Sequence, residues 1–124
     1  MEKKDLMIGD WVLCDNTPYQ IAEMGGMVCL SFEQELFAAL EDIQPIPLTA
    51  EILEKNGFRN IGGHWYDDAA DYYELEVETY SDSIWRVIYH NTEFNIGDER
   101  VFVSHIHELQ HALRLFGIKR EIEL

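Results

Sequence analysis

The apolar positions of this chain fall into short alternating runs, then longer ones, and finally a stretch of helical spacing. Residues 10–14 alternate, with Trp11 and Leu13 on one side and Val12 and Cys14 on the other, as a strand requires. Asp15-Asn16-Thr17-Pro18 is rich in turn formers. Residues 19–24 and 27–31 flank Gly25-Gly26, which predicts a tight hairpin with both glycines at positive φ. A strand over 36–39 and a helical turn over 40–43 follow, and Pro45 and Pro47 mark a boundary. Strands this short and close predict an SH3-like small β-barrel over residues 1–47.

Residues 48–124 read as a second unit of α+β type. Thr49 as N-cap, Ile52 and Leu53 as apolar anchors and Gly57 as a stop predict a helix over 49–57. Two strands, 58–60 and 64–66, surround Gly62-Gly63. From 73 to 79, Tyr73, Leu75, Val77 and Thr79 alternate with Glu74, Glu76 and Glu78, the pattern of an antiparallel strand with one buried and one wet, acidic face. After a turn at 80–83 the chain returns over 84–90, with Trp85, Val87 and Tyr89 inward and Arg86 placed to pair with one of the glutamates. Segments 91–96 and 100–103 bracket a turn at Gly97-Asp98. A helix is then predicted over 104–117, with Ser104 at its start, Gly117 at its end, and Ile106, Leu109, Leu113 and Phe116 on the face that lies on the sheet. Residues 118–124 form a final strand or a loose tail. The fold class expected is α+β: an N-terminal SH3-like small β-barrel followed by an antiparallel β-meander packed against a C-terminal helix.

Charge narrows the function classes. Nine basic against 24 acidic residues give a net charge of −15 over 124 residues, which opposes direct binding to nucleic acid or anionic membranes. Six Phe, six Tyr and three Trp supply a core, so the charge does not signal disorder. No apolar run approaches the ~20 residues of a membrane span, and the N-terminal residues lead into no signal-peptide core, so a cytoplasmic protein is expected. Cys14 and Cys29 lie in strand-like runs and read as reduced, buried thiols.

One motif suggests catalysis. His107-Glu108-Leu109-Gln110-His111 fits H-E-x-x-H, in which two histidines about 40° apart on a helix hold zinc and the glutamate acts as general base. A catalytic zinc needs a third protein ligand. The extended pattern wants Gly at 114 and His at 117, where this chain has Arg114 and Gly117, and neither Glu121 and Glu123 nor His64, His90 and His105 have supporting spacing. His107, His111 and Arg114 also share the face opposite the predicted core stripe, where a solvated helix carries its polar residues. Zinc at His107 and His111 with Glu108 as base is therefore an alternative reading, and no cofactor is expected otherwise. The densest acidic stretch, Asp67, Asp68, Asp71, Glu74, Glu76 and Glu78, lacks the spacing of an EF-hand loop. It reads as a solvated face or, edged by Trp65 and Tyr66, as an interaction surface for a basic partner or an imitation of a phosphate backbone.

Three segments carry a resemblance. Ile8-Gly9-Asp10-Trp11-Val12, Ile43-Gln44-Pro45-Ile46-Pro47-Leu48-Thr49 with Glu51 to Phe58, and the helix from Val103 to Leu113 resemble, in order, the G-D-W-V start, the P-I-P-L-T…G-F middle and the H-x-L-Q-x-A-L helix of small phage- and prophage-associated proteins of gut Bacteroides-type bacteria. The resemblance implies an accessory protein and no chemistry. In that group the position of Glu108 is often Gln and that of His111 often Asn, a variation a catalytic motif would not tolerate. The function expected is a non-enzymatic protein-interaction module. The alternative is a small zinc-dependent metallopeptidase.

Overall fold

The computed structural model describes residues 5–67, 73–91 and 98–124. Over these residues it is a mixed α+β protein of antiparallel sheets and two α-helices, and its contacts divide the chain into two compact units. The first holds residues 1–46 with His105–His107; the second holds 47–104 with 108–124.

The first unit contains two three-stranded sheets and, among the described residues, no closed barrel. Strand β1 (Trp11–Cys14) lies between β2 (Thr17–Gln20) and β6 (Ile43–Pro45); β4 (Val28–Ser31) lies between β3 (Glu23–Met24) and β5 (Leu36–Ala38). One apolar cluster joins them: Leu6, Val12, Ile21, Val28, Leu30, Ala38 and Ile43. The prolines at 18 and 45 sit in β2 and β6, the edge strands of their sheet, where a missing N–H is tolerated. The tight two-residue hairpin falls at Asp15-Asn16, both at positive φ (50° and 61°) between the paired Cys14 and Thr17. Gly25-Gly26 joins β3 to β4 through a wider bend in which neither glycine has positive φ, and the Gly25 N–H reaches the Met27 carbonyl at 3.1 Å. Asp10 is fully buried. Its carboxylate accepts the Met7 N–H at 2.8 Å and closes the turn before β1, while Gly9, at φ 93°, donates to the Ile21 carbonyl. Both cysteines are free; Cys29 is buried, but Cys14 is only partly so. Burial, with Asp15 and Asp42 nearby, pushes the Cys14 thiol up, away from the reactive thiolate.

The second unit is a five-stranded antiparallel sheet in the order β11-β10-β9-β8-β7. Its strands are β7 (Arg59–Ile61), β8 (His64–Asp67), β9 (Tyr73–Ser81), β10 (Ile84–Asn91) and β11 (Asp98–Val103). Gly62 and Gly63, both at positive φ, make the β7–β8 hairpin. The predicted strand at 91–96 and the turn residue Gly97 lie, apart from Asn91 at the end of β10, outside the described residues. Leu75, Val77, Trp85, Val87 and Val103 line a buried inner face, and Trp65 packs edge-on against Trp85 with ring centroids 5.4 Å apart.

Helices α1 (Ala50–Lys55) and α2 (Ile106–Leu115) end in the same way. In α1 the N–H groups of Gly57 and Phe58 return to the carbonyls of Glu54 and Leu53; in α2 those of Gly117 and Ile118 return to Arg114 and Leu113. These paired bonds, with glycine at positive φ and buried apolar residues at both ends of the longer bond, are Schellman closures. Thr49 caps α1, accepting the Ile52 N–H at 3.3 Å. The α2 stripe of Ile106, Leu109 and Leu113 is buried, and Phe116 stacks on Tyr89 at 5.0 Å. Residues beyond Ile118 form neither a strand nor a loose tail. Ile118 and Ile122 are buried, and the Asn56 side-chain amide exchanges two 2.8 Å hydrogen bonds with the backbone of Glu123.

Candidate functional site: a charged sheet face and an edge groove

Strand parity decides which predicted residues can act together. Trp65 pairs with Val77 and Asp67 with Leu75, so both turn to the inner face. They are 8% and 3% exposed and cannot form a docking surface. Asp67 is held instead by Arg120, whose Nη1 lies 2.6 Å from its carboxylate and whose guanidinium also stacks on Phe58, 5.0 Å from the ring centre. Arg120 and this pair were not anticipated, although the alternation from His64 to Asp67 places an acid on the core side and calls for a buried cation.

The outer face gathers the opposite set. His64 stands across from Glu78, Tyr66 from Glu76, and Arg86 from Glu78. His64 Nδ1 lies 2.6 Å from Glu76 and 2.9 Å from Glu78; His90 Nε2 lies 3.3 Å from Glu76; Arg86 pairs with Glu78. The cross-strand partner anticipated for Arg86 is therefore Glu78. The glutamate row is not a freely solvated surface, since Glu76 and Glu78 are only 15% and 13% exposed at the side chain. Burial pushes the Glu76 carboxyl up, but hydrogen bonds and charge from His64 and His90 outweigh it and hold the group below the usual carboxylate range. Burial, with Glu76 and Glu74, pushes the Tyr66 phenol up. Asp68 and Asp71 lie outside the described residues.

His64, Glu76 and Glu78 are the one group of His, Cys, Asp and Glu among the described residues whose donor atoms converge, all within 4.8 Å of one another. One imidazole and two carboxylates form a donor set that zinc accepts. Here Arg86 already pairs with Glu78, and the imidazoles of His64 and His90 both hydrogen-bond Glu76.

The H-E-x-x-H residues are placed otherwise. His107 does not lie on a solvated face: it is 6% exposed, stacked on His105 at 5.7 Å, in a first helical turn whose Ile106 N–H donates to the Ile46 carbonyl. Gln110 is buried as well, so the helix is covered over more than its apolar stripe. Glu108 accepts the Ser104 N–H at 3.1 Å, a reach back over the helix start like that of a capping box. A general base would have to give up that bond. Glu108 and His111 also line a groove of about 380 Å³ between α2 and β11, with Val101, Phe102, Val103, Ala112 and Leu115. Neither belongs to a converging metal-ligand group among the described residues.

No known protein family, curated protein or solved structure matches the chain. Among the described residues, no helix is long and apolar enough to cross a membrane.

Proposed function

We propose that the chain is a non-enzymatic accessory module that binds a basic protein partner, that it works in the cytoplasm and that it derives from a phage. The observation that carries this reading is the distribution of charge. Carboxylates at exposed positions occur in both units, among them Glu33, Glu35 and Glu41 in the first and Glu51, Glu54 and Glu121 in the second. With a net charge of −15, they set up a field of one sign that draws in cationic partners and repels anionic ones. The side chains that resemble catalytic groups have other work: Glu108 holds a helix start, and the sheet-face histidines hydrogen-bond Glu76. The SH3-like reading of the first unit belongs to the same proposal, supported by two three-stranded sheets around one apolar cluster.

The test is capture by the native chain beside a variant with Glu51, Glu54, Glu121 and Glu123 changed to Gln. A basic protein bound at fixed stoichiometry by the native chain, and several-fold more weakly by the variant and at raised salt, is the expected result. Equal capture by both, or none, sinks the reading.

A further inference from the structure

We propose that the open edge of β11 and the groove beside it take an extended segment of a basic partner protein, added to the sheet as a sixth strand. The proposal rests on the basic-partner reading and gives it a place and a geometry. Among the described residues, strand β11 ends the sheet order and pairs only with β10, from Trp85↔Val103 to His90↔Asp98. In an antiparallel edge strand every second residue turns its N–H and C=O away from the sheet. The run closes at Ser104, whose carbonyl accepts the Leu48 N–H at 3.1 Å.

Exposed edges are usually blunted by shortness, proline or a bulge. The opposite edge, β7, has three residues; of the first unit's edge strands, β2 and β6 carry prolines, and β3 and β5 have two and three residues. Strand β11 has six residues, no proline and an unbroken register with β10, and its charged residues, Asp98, Glu99 and Arg100, are confined to its first half. It is the strand in this unit best suited to receive another.

The groove specifies what would be received. Its helical wall is the stripe Glu108, His111, Ala112 and Leu115, which spans about 10 Å at 1.5 Å per residue. Side chains on one face of an added strand stand about 6.8 Å apart, so two of them fit along that wall. One meets Ala112 and Leu115, the latter 71% exposed, and should be apolar. The other meets Glu108 and should be lysine or arginine. Backbone bonds to β11 would supply much of the affinity, and these two contacts the selectivity. A second copy of this chain would bring another net charge of −15 against the first, which disfavours it as the occupant.

The probe is the nonapeptide Ser-Thr-Lys-Thr-Leu-Thr-Lys-Thr-Ser, titrated into the full chain and followed by amide chemical shifts. Three further peptides serve as controls: both lysines replaced by glutamate, and N-methylation of one or the other alternate set of amides. The proposal expects shifts centred on residues 98–103 and 108–115. Binding should weaken at least tenfold with glutamate and with one methylated set but not the other, and several-fold in Leu115→Asn, whose unfolding transition should stay where it is. Equal binding by both methylated peptides, no binding, or self-association through β11 overturns the proposal. Shifts confined to another face overturn the groove and leave the basic-partner reading standing. A glutamate peptide bound equally well in the groove overturns the charge requirement, and with it the basic-partner reading of this site.

Discussion

On the inner face of the second unit's sheet Asp67 meets Arg120, and on the outer face Glu76 and Glu78 meet His64, His90 and Arg86. Both sites pair carboxylates with nitrogen-bearing side chains, on neighbouring strands of one sheet. They differ in access to water. Asp67 is 3% exposed at the side chain and its partner 22%, whereas the outer partners, His64, Arg86 and His90, are 29–39% exposed. Ion pairs gain little at a wet surface and cost much to break in a dry interior. The inner pair therefore acts as a structural lock, and the outer cluster as a set of adjustable contacts that keep two adjacent glutamates tolerable.

The sharpest way to break that contrast is Arg120→Ala. It strands the Asp67 charge, and a loss of roughly 3–5 kcal/mol is expected in urea unfolding. Replacing both partners together, Asp67→Leu with Arg120→Met, should recover most of that loss; failure to recover it would mean that the pair does more than cancel its own charge. Next comes Trp85→Phe, which removes the buried 3.1 Å bond from the indole N–H to the Leu48 carbonyl, for about 1–3 kcal/mol. Gly117→Ala forces an alanine to φ 76° at the α2 closure and should cost about 1–2 kcal/mol, seen as a lower melting temperature.

The smallest effect belongs to the outer cluster. Glu76 titrates below its unfolded value, so its contribution is complete above the ordinary carboxylate pKa of about 4.3 and disappears as the pH falls through the lower folded value. Urea midpoints should thus fall as the pH drops below about 4.3 in the native chain, and less steeply in Glu76→Gln. Parallel pH profiles would remove the cluster's role.

What was legible in the sequence followed alternation and end signals. The glutamate row of β9, the inward Trp85, Val87 and Tyr89, the two-glycine hairpin at 62–63 and the Gly57 and Gly117 stops all follow from local rules. Gly25-Gly26 misled because a glycine pair permits positive φ without requiring it, whereas Asp15-Asn16 adopts it with side chains that only tolerate it. The candidate site was harder to read. Long-range partners leave no local trace: Arg120 is 53 residues from Asp67, and His90 is 14 from Glu76. The helical wheel gave His107 a polar face because it describes one helix in isolation and not what covers it. The groove depends on α2 lying beside a particular edge strand, which no periodicity reports.

The distance between Asp67 and Arg120 also has a consequence in time. At about 5–20 residues per second, a ribosome needs roughly three to ten seconds to go from one to the other. During that interval β8 exists with an acid on its core side and no counter-ion. Covering the inner face before Arg120 is made would bury an uncompensated charge, which disfavours early closure of the core. The late arrival of one arginine would convert a piecewise assembly into a single concerted step, and chaperone contact with the nascent chain should concentrate in that window.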